Sequence, residues 1–400
     1  MMHRGSPRRR LVWYFAALGG VLCAIGLYFP DLLRAQMPTA ERLLYRGWWP
    51  RHSVRSDDTY VGPAACAACH PGKAATQKDT AMARTAVILG PGTEPSIFPT
   101  DGQLTFQSGG FGYRVAMSDR KSEYTVTDGT RTLSAIFKWS FGDGHVGQSY
   151  LFEQDGKLYE SRVSYFDSLK GLQFTPGREL SHPHDLEEAM ARPVDGGEQL
   201  RCFSCHTTGS TINDKLEGTR LIPGITCEAC HGPGFTHVAA QKLAYLQGQP
   251  WEPGKEADQI FDPGKLSPVD AVDFCGSCHG TWWDIKLGGI AGIGTIRAQP
   301  YRLEKSQCWG KKGDARLTCV ACHDPHKKLV HDSLSYDQNC LSCHLADSSS
   351  PTPDHPGPAC KVSTRNCVSC HMPKFEDPAT HYTFTDHYIR ISRQGAPYPD

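Results

Sequence analysis

Apolar and polar positions alternate in short runs from about Gln103 to Phe174. Leu104–Phe106, Tyr113–Met117, Tyr124–Thr127, Leu133–Trp139, Gln148–Glu153 and Lys157–Tyr165 are rich in aromatic and β-branched side chains, and Asp128-Gly129 and Asp155-Gly156 stand between runs. Alternation at period two gives a strand one buried face, and Asp-Gly suits a tight hairpin, so this stretch predicts a small antiparallel sheet. From residue 181 the pattern changes. Apolar residues come in brief clusters broken by Gly and Pro, 40 and 28 in a chain of 400, which predicts short helices and loops with little sheet. At the amino end an uncharged apolar run of 19 residues, Leu11 to Phe29, follows Arg4, Arg8, Arg9 and Arg10. As a helix it would reach roughly the 30 Å of a bilayer core, with its basic end in the cytoplasm. The pattern therefore predicts one N-terminal transmembrane helix. A cleaved signal peptide would need a shorter apolar run and a small-x-small site after it.

These shifts divide the chain into a basic tip and anchor (1–30), a juxtamembrane linker (31–60), a first segment (61–95), a β-rich insertion (96–180), a larger irregular domain (181–392) and a tail (393–400).

The cysteines give the irregular regions their purpose. Of 17, fourteen form seven copies of Cys-x-x-Cys-His: Cys66, Cys69 and His70; Cys202, Cys205 and His206; Cys227, Cys230 and His231; Cys275, Cys278 and His279; Cys319, Cys322 and His323; Cys340, Cys343 and His344; Cys367, Cys370 and His371. Two thiols three positions apart can each add to a vinyl group of one haem, and the adjacent imidazole then lies over the iron. Zinc ribbons and dithiol redox pairs need no His after the second Cys, and here it follows every time. Seven covalently bound c-type haems are expected, with His70, His206, His231, His279, His323, His344 and His371 as proximal iron ligands. Haem would also replace the missing apolar core. Cys23, Cys308 and Cys360 remain; Cys23 lies in the apolar run, and the other two invite a disulfide in an oxidising compartment.

The second axial ligand separates electron carrier from catalyst, because iron held by two imidazoles has no open position. Of 18 His, nine lie outside the motifs and beyond the amino-terminal His3 and His52. His145, His182, His184, His237, His326 and His387 are the candidate distal ligands; His331, His355 and His381 rank behind them, and Met82 is an alternative for the first haem. His326 follows His323 by three residues, a reach of at most about 11 Å, too short to pass around a porphyrin edge. It should therefore serve a different haem from His323. The Gly-x-Gly-x-x-Gly match from Gly142 to Gly147 lies between two strand-like runs and opens no helix, so it carries no dinucleotide-binding meaning.

The order Cys227-x-x-Cys-His-Gly-Pro-Gly with His237, then Cys319-x-x-Cys-His-Asp-Pro-His, then Cys367-x-x-Cys-His-Met-Pro and Phe384-x-Asp-His387-x-Ile, resembles the multihaem c-type cytochrome family. That family includes the tetrahaem acceptor cytochrome of hydroxylamine oxidation and the octahaem reductases, and the likeness runs over about residues 60–392. The resemblance implies closely packed haems, mostly with two imidazole ligands. Ammonia-forming nitrite reductases of this group usually carry Lys in one motif, and all seven motifs here end in His. The expected fold is thus a mainly α and irregular multihaem cytochrome fold with a small inserted antiparallel β-sheet domain.

Lys+Arg and Asp+Glu are equal at 42 each. Four of the Arg belong to the cytoplasmic tip, so the remainder is mildly acidic, which argues against nucleic acid and suits basic redox partners. The expected function is electron transfer on the extracytoplasmic side of the cytoplasmic membrane, between a membrane quinol or other redox donor and an extracytoplasmic acceptor. The alternative is an oxidoreductase acting on a small nitrogen or sulfur oxyanion at one five-coordinate haem.

Overall fold

The aromatic, β-branched runs form strands, but they form two sheets. The computed structural model describes residues 49, 59–90, 102–118, 121–213, 215–218, 221–249, 260–309, 316–344, 360–393 and 395–399. Strands β1 (Ala86–Ile88), β2 (Gln103–Ser108), β3 (Phe111–Ser118), β4 (Lys121–Thr127), β5 (Thr132–Ile136) and β6 (Trp139–Phe141) are followed by β7 (Gly147–Gln154), β8 (Lys157–Ser161), β9 (Val163–Phe166), β10 (Gly171–Phe174) and β11 (Ala191–Pro193). One sheet is β2-β3-β4-β5; the other runs β1-β6-β7-β8-β11, with β9 joining β7 to β10. All these pairs are antiparallel.

Register follows the alternation. Val115 opposes Tyr124, Tyr113 opposes Val126, and all four side chains are fully buried. The run from Leu133 to Trp139, expected as one strand, breaks at Phe137 and Lys138. There the chain leaves one sheet for the other: Phe137 donates its N–H to Ser122 and Lys138 to Leu151. The Phe137 ring is stacked between Tyr124 (centroids 5.0 Å apart) and Tyr150 (4.5 Å) in a core shared by both sheets. The run from Lys157 to Tyr165 also breaks, at Arg162, but β8 and β9 on either side of it belong to one sheet. Asp155 and Gly156 both take positive φ, 51° and 71°, the backbone of a type I′ hairpin. Gly142 to Gly147 is the β6–β7 connection and opens no helix.

The rest is short helices: α1 (Pro63–Ala67), α2 (Pro71–Gln77), α3 (Leu186–Met190), α4 (Gly196–His206), α5 (Cys227–His231), α6 (Phe235–Leu246), α7 (Pro268–His279), α8 (Trp282–Leu287), α9 (Gln299–Glu304), α10 (Asp337–Leu341) and α11 (Cys367–His371). Between them lie two-residue strand pairs, such as Thr207–Thr208 with Ile222–Pro223, and the hairpin Lys374–Asp377 with Tyr382–Thr385. The mainly α expectation is therefore corrected: about one-third of the described residues are helical and about one-quarter are strand. Segments too short for helices still have to pair their buried backbone groups, and here they do so strand to strand. The expected transmembrane helix is not supported either, since no helix among the described residues is long and apolar enough to cross a membrane. Leu11 to Phe29, the run that carried that expectation, lies outside the described residues, as do His3, Cys23, His52 and His355.

Candidate metal centres

Each Cys-x-x-Cys-His sequence folds as a single turn. In the first, fifth and sixth motifs the same two bonds recur, from the second Cys and from the His back to the first Cys carbonyl: 3.2 and 2.8 Å at Cys66, 3.2 and 2.9 Å at Cys319, 3.2 and 3.0 Å at Cys340. The second and fourth motifs end α4 and α7, while α5 and α11 are the third and seventh motifs themselves. One turn sets both thiols and the imidazole beside one another, which attachment of a single haem requires.

The turns are drawn together by polar side chains that the motif pattern does not reveal. Glu228, inside the third motif and 1% exposed, accepts the N–H groups of Val61, Gly62 and Gly234, each at 2.8 Å. It thereby ties the third motif to the lead-in of the first. Gly224 (φ +77°) lies so close to Ala83 that a Cβ would sit 1.9 Å from its carbonyl oxygen, and Ile225 donates to the Met82 carbonyl at 2.9 Å. Asp337, ahead of the sixth motif, accepts from Asn366 (2.7 Å) and Cys367 (2.8 Å) at the start of the seventh; these backbone donors hold its carboxyl below the ordinary range. An acid just before or inside a motif was the available signal, but its partners are distant in sequence.

Thiols of different motifs consequently meet. Cys66 contacts Cys227, Cys205 contacts Cys278, Cys275 contacts Cys319, and Cys340 contacts Cys367. Cys230 is near enough to Cys275, and Cys322 to Cys340, to sense their charge. All seven motifs thus join in one connected cluster. Burial pushes the Cys230 thiol up to about 12 and Cys202 up to about 11. Cys308 and Cys360 are both free thiols, so the expected disulfide between them is absent; Cys308 lies near Cys343, and Cys360 is exposed.

The imidazoles are prepared as ligands. His206 Nδ1 bonds to the Thr85 carbonyl (3.1 Å), His231 to Phe261 (2.9 Å), His371 to Arg390 (3.1 Å) and His387 to Thr385 (3.1 Å). A carbonyl only accepts, so in His231, His371 and His387 Nδ1 carries the proton and Nε2 keeps its lone pair for a metal, whereas His206 Nδ1 also meets the Thr85 hydroxyl at 2.7 Å. Burial lowers the pKa of His206, His279, His323 and His326, and burial with neighbouring His323 takes His387 to about 4. All five are neutral at pH 7, the form that coordinates.

Two pairs of imidazole rings lie close together. His231 and His326 have centroids 6.2 Å apart and planes 14° from parallel; His323 and His387 are 6.3 Å apart at 45°. Two imidazoles on opposite sides of one metal, each with a metal–nitrogen distance of about 2 Å, have ring centres roughly 6 Å apart. The spacing fits an iron between each pair, and the motif thiols beside His231 and His323 fit a haem. His326 therefore faces the third motif, not His323 of its own. His237 lies half-buried in the first turn of α6. His145 is exposed in the β6–β7 loop, 4.0 Å from Asp143, and His182 and His184 are exposed ahead of α3. His381 packs edge-on against Phe166, and His331 is exposed.

Residues 169–232, spanning the second and third motifs, match the family model for cytochrome c554 and c-prime. The chain is also similar to the multiheme cytochrome MtrA of Shewanella baltica, 26% identical over a 186-residue alignment, with 36% of this chain and 51% of that protein covered. It thus spans about half the length of the curated relative it matches. Among solved structures, the outer cell wall cytochrome OcwA aligns with a TM-score of 0.44 and 15% identity, over 83% of this chain and 79% of that one. The family model and the curated relative, together with the Cys-x-x-Cys-His turns, support a multihaem c-type cytochrome.

Proposed function

We propose that the chain carries seven covalently attached haems and relays electrons on the extracytoplasmic side of the membrane. The donor would be a membrane quinol or another redox protein, and the acceptor an extracytoplasmic redox partner. The carrying observation is the pair of facing imidazoles, His231 with His326 and His323 with His387, at the spacing of a closed metal site. Bound there, haem supplies a centre that gains and loses one electron. The chain's own residues do the rest. His326 would join His231, and His387 would join His323, in holding the third and fifth haems, the backbone carbonyls on Nδ1 would fix ring orientation, and the joined motif turns would keep all seven attachment points in one cluster. The closer kinship, beside the tetrahaem acceptor cytochrome of hydroxylamine oxidation and the octahaem reductases, is part of this proposal.

Low-temperature electron paramagnetic resonance of the fully oxidised protein, with haem counted on the same sample, tests the reading. Seven low-spin ferric haems per chain are expected. A stoichiometric high-spin signal that shifts when nitrite or hydroxylamine is added would replace the relay with a catalyst.

A further inference from the structure

The segment from Asp386 to Arg390 belongs to two of the proposed centres at once. Its His387 faces His323 of the fifth motif at 6.3 Å. Three residues later, the Arg390 carbonyl accepts from Nδ1 of His371 in the seventh motif (3.1 Å), while the Arg390 N–H donates to the His371 carbonyl (3.1 Å). One short strap thus presents an imidazole to one centre and orients the imidazole of another.

What holds the strap is a buried ionic clamp. Arg302, on α9, is 0% exposed and forks onto Asp386, also 0% exposed, with Nε to Oδ1 at 2.8 Å and Nη2 to Oδ2 at 2.9 Å. Asp386 accepts two further bonds, from Arg390 Nη1 (2.6 Å) and the Tyr388 N–H (3.0 Å). Its own N–H donates to the Pro373 carbonyl at 2.9 Å, two residues beyond His371. The Arg302 guanidinium lies 4.4 Å from the Tyr398 ring centre, and Nη1 donates to the Pro399 carbonyl. Ser306, just past α9, adds a peg: its hydroxyl accepts from the Ile389 N–H at 2.8 Å. A charge pair removed from water has to be fully bonded to persist, and losing one partner is strongly destabilising.

We infer that Asp386 is a positioning residue shared by two haem centres, setting the imidazole planes of His387 and His371 together. The inference rests on the reading of His387 as a ligand. A paramagnetic low-spin signal depends on the relative orientation of the two axial rings, so the strap has a direct spectroscopic readout.

The test compares three variants of the full-length holoprotein with the parent by potentiometrically resolved electron paramagnetic resonance and haem count. Asp386→Asn keeps the shape and removes the charge, and Arg390→Gln, at the edge of the cluster, serves if the first variant does not fold. Two low-spin signals should shift together in either variant, with haem content unchanged and the other signals fixed. His387→Ala should convert one haem to high-spin. If it does so while neither clamp variant moves two signals, the shared strap is wrong; if His387→Ala leaves every haem low-spin, the ligand reading itself is wrong. A uniform loss of haem in both clamp variants would show a merely structural role and overturn the inference.

Discussion

Glu228 occupies a variable position of its own motif, yet its carboxylate serves the backbone of the first. Three N–H groups depend on it, and leaving buried donors unpaired costs about 1–3 kcal/mol. Glu228→Ala should therefore destabilise the holoprotein by at least that margin, seen as a lower midpoint in a reversible melt, whereas replacement of an exposed acid such as Glu179 should leave the midpoint in place. His326 makes a different kind of contribution. His326→Ala should turn one haem high-spin while all remain attached, because the tether is supplied by cysteines elsewhere. An unchanged spectrum would show that the ring facing His231 is not a ligand.

Among the elements, β5 and β6 show why a continuous apolar run need not be one strand. Ser134 and Ile136 are exposed on one sheet, then Phe137 turns into the core between the sheets, and Trp139 starts the next. Phe137→Ala empties a site closed by Tyr124 and Tyr150 and should cost roughly 3–5 kcal/mol in denaturant unfolding. The α7–α9 contact carries a pH dependence. Burial, with Asp273 beside it, pushes the Glu304 carboxyl up to about 8 from an ordinary 4.5. Between those values the folded protein holds a proton that the unfolded chain has released, so stability is greatest at the acid end of the window and falls as pH rises to about 8. Glu304→Gln should flatten that decline, a result read from thermal midpoints between pH 5 and 8.

For the whole molecule, the consequence is connectivity. Contacts between thiols link the first motif to the third, the second to the fourth, the fourth to the fifth and the sixth to the seventh, and longer-range proximity joins the third to the fourth and the fifth to the sixth. Chain order and spatial order therefore differ at the second motif, which branches from the fourth. The proposed relay should lose electron throughput sharply when the fourth motif is disabled. Cys278→Ala should slow reduction of the second site by an external donor more than Cys370→Ala does, as followed by stopped-flow absorbance. Equal slowing would contradict the branch.

Haem attachment was legible from the sequence because its chemistry is local: two thiols and an imidazole within five residues make one turn, whatever surrounds them. The strand runs were legible for the same reason, since period-two alternation reports burial residue by residue. The switch between sheets was not, because it depends on where Phe137 finds its partners. Nor was the balance of helix and strand, which the pairing of short segments around the motifs decides. The facing of His326 on His231 and of His387 on His323 arises between segments far apart in the chain. For His326 the reach of a three-residue link already excluded its own motif, but only the tertiary structure selected the imidazole opposite. The clamp on Asp386 was wholly illegible, since an aspartate beside a histidine is ordinary until a buried arginine from a distant helix closes on it.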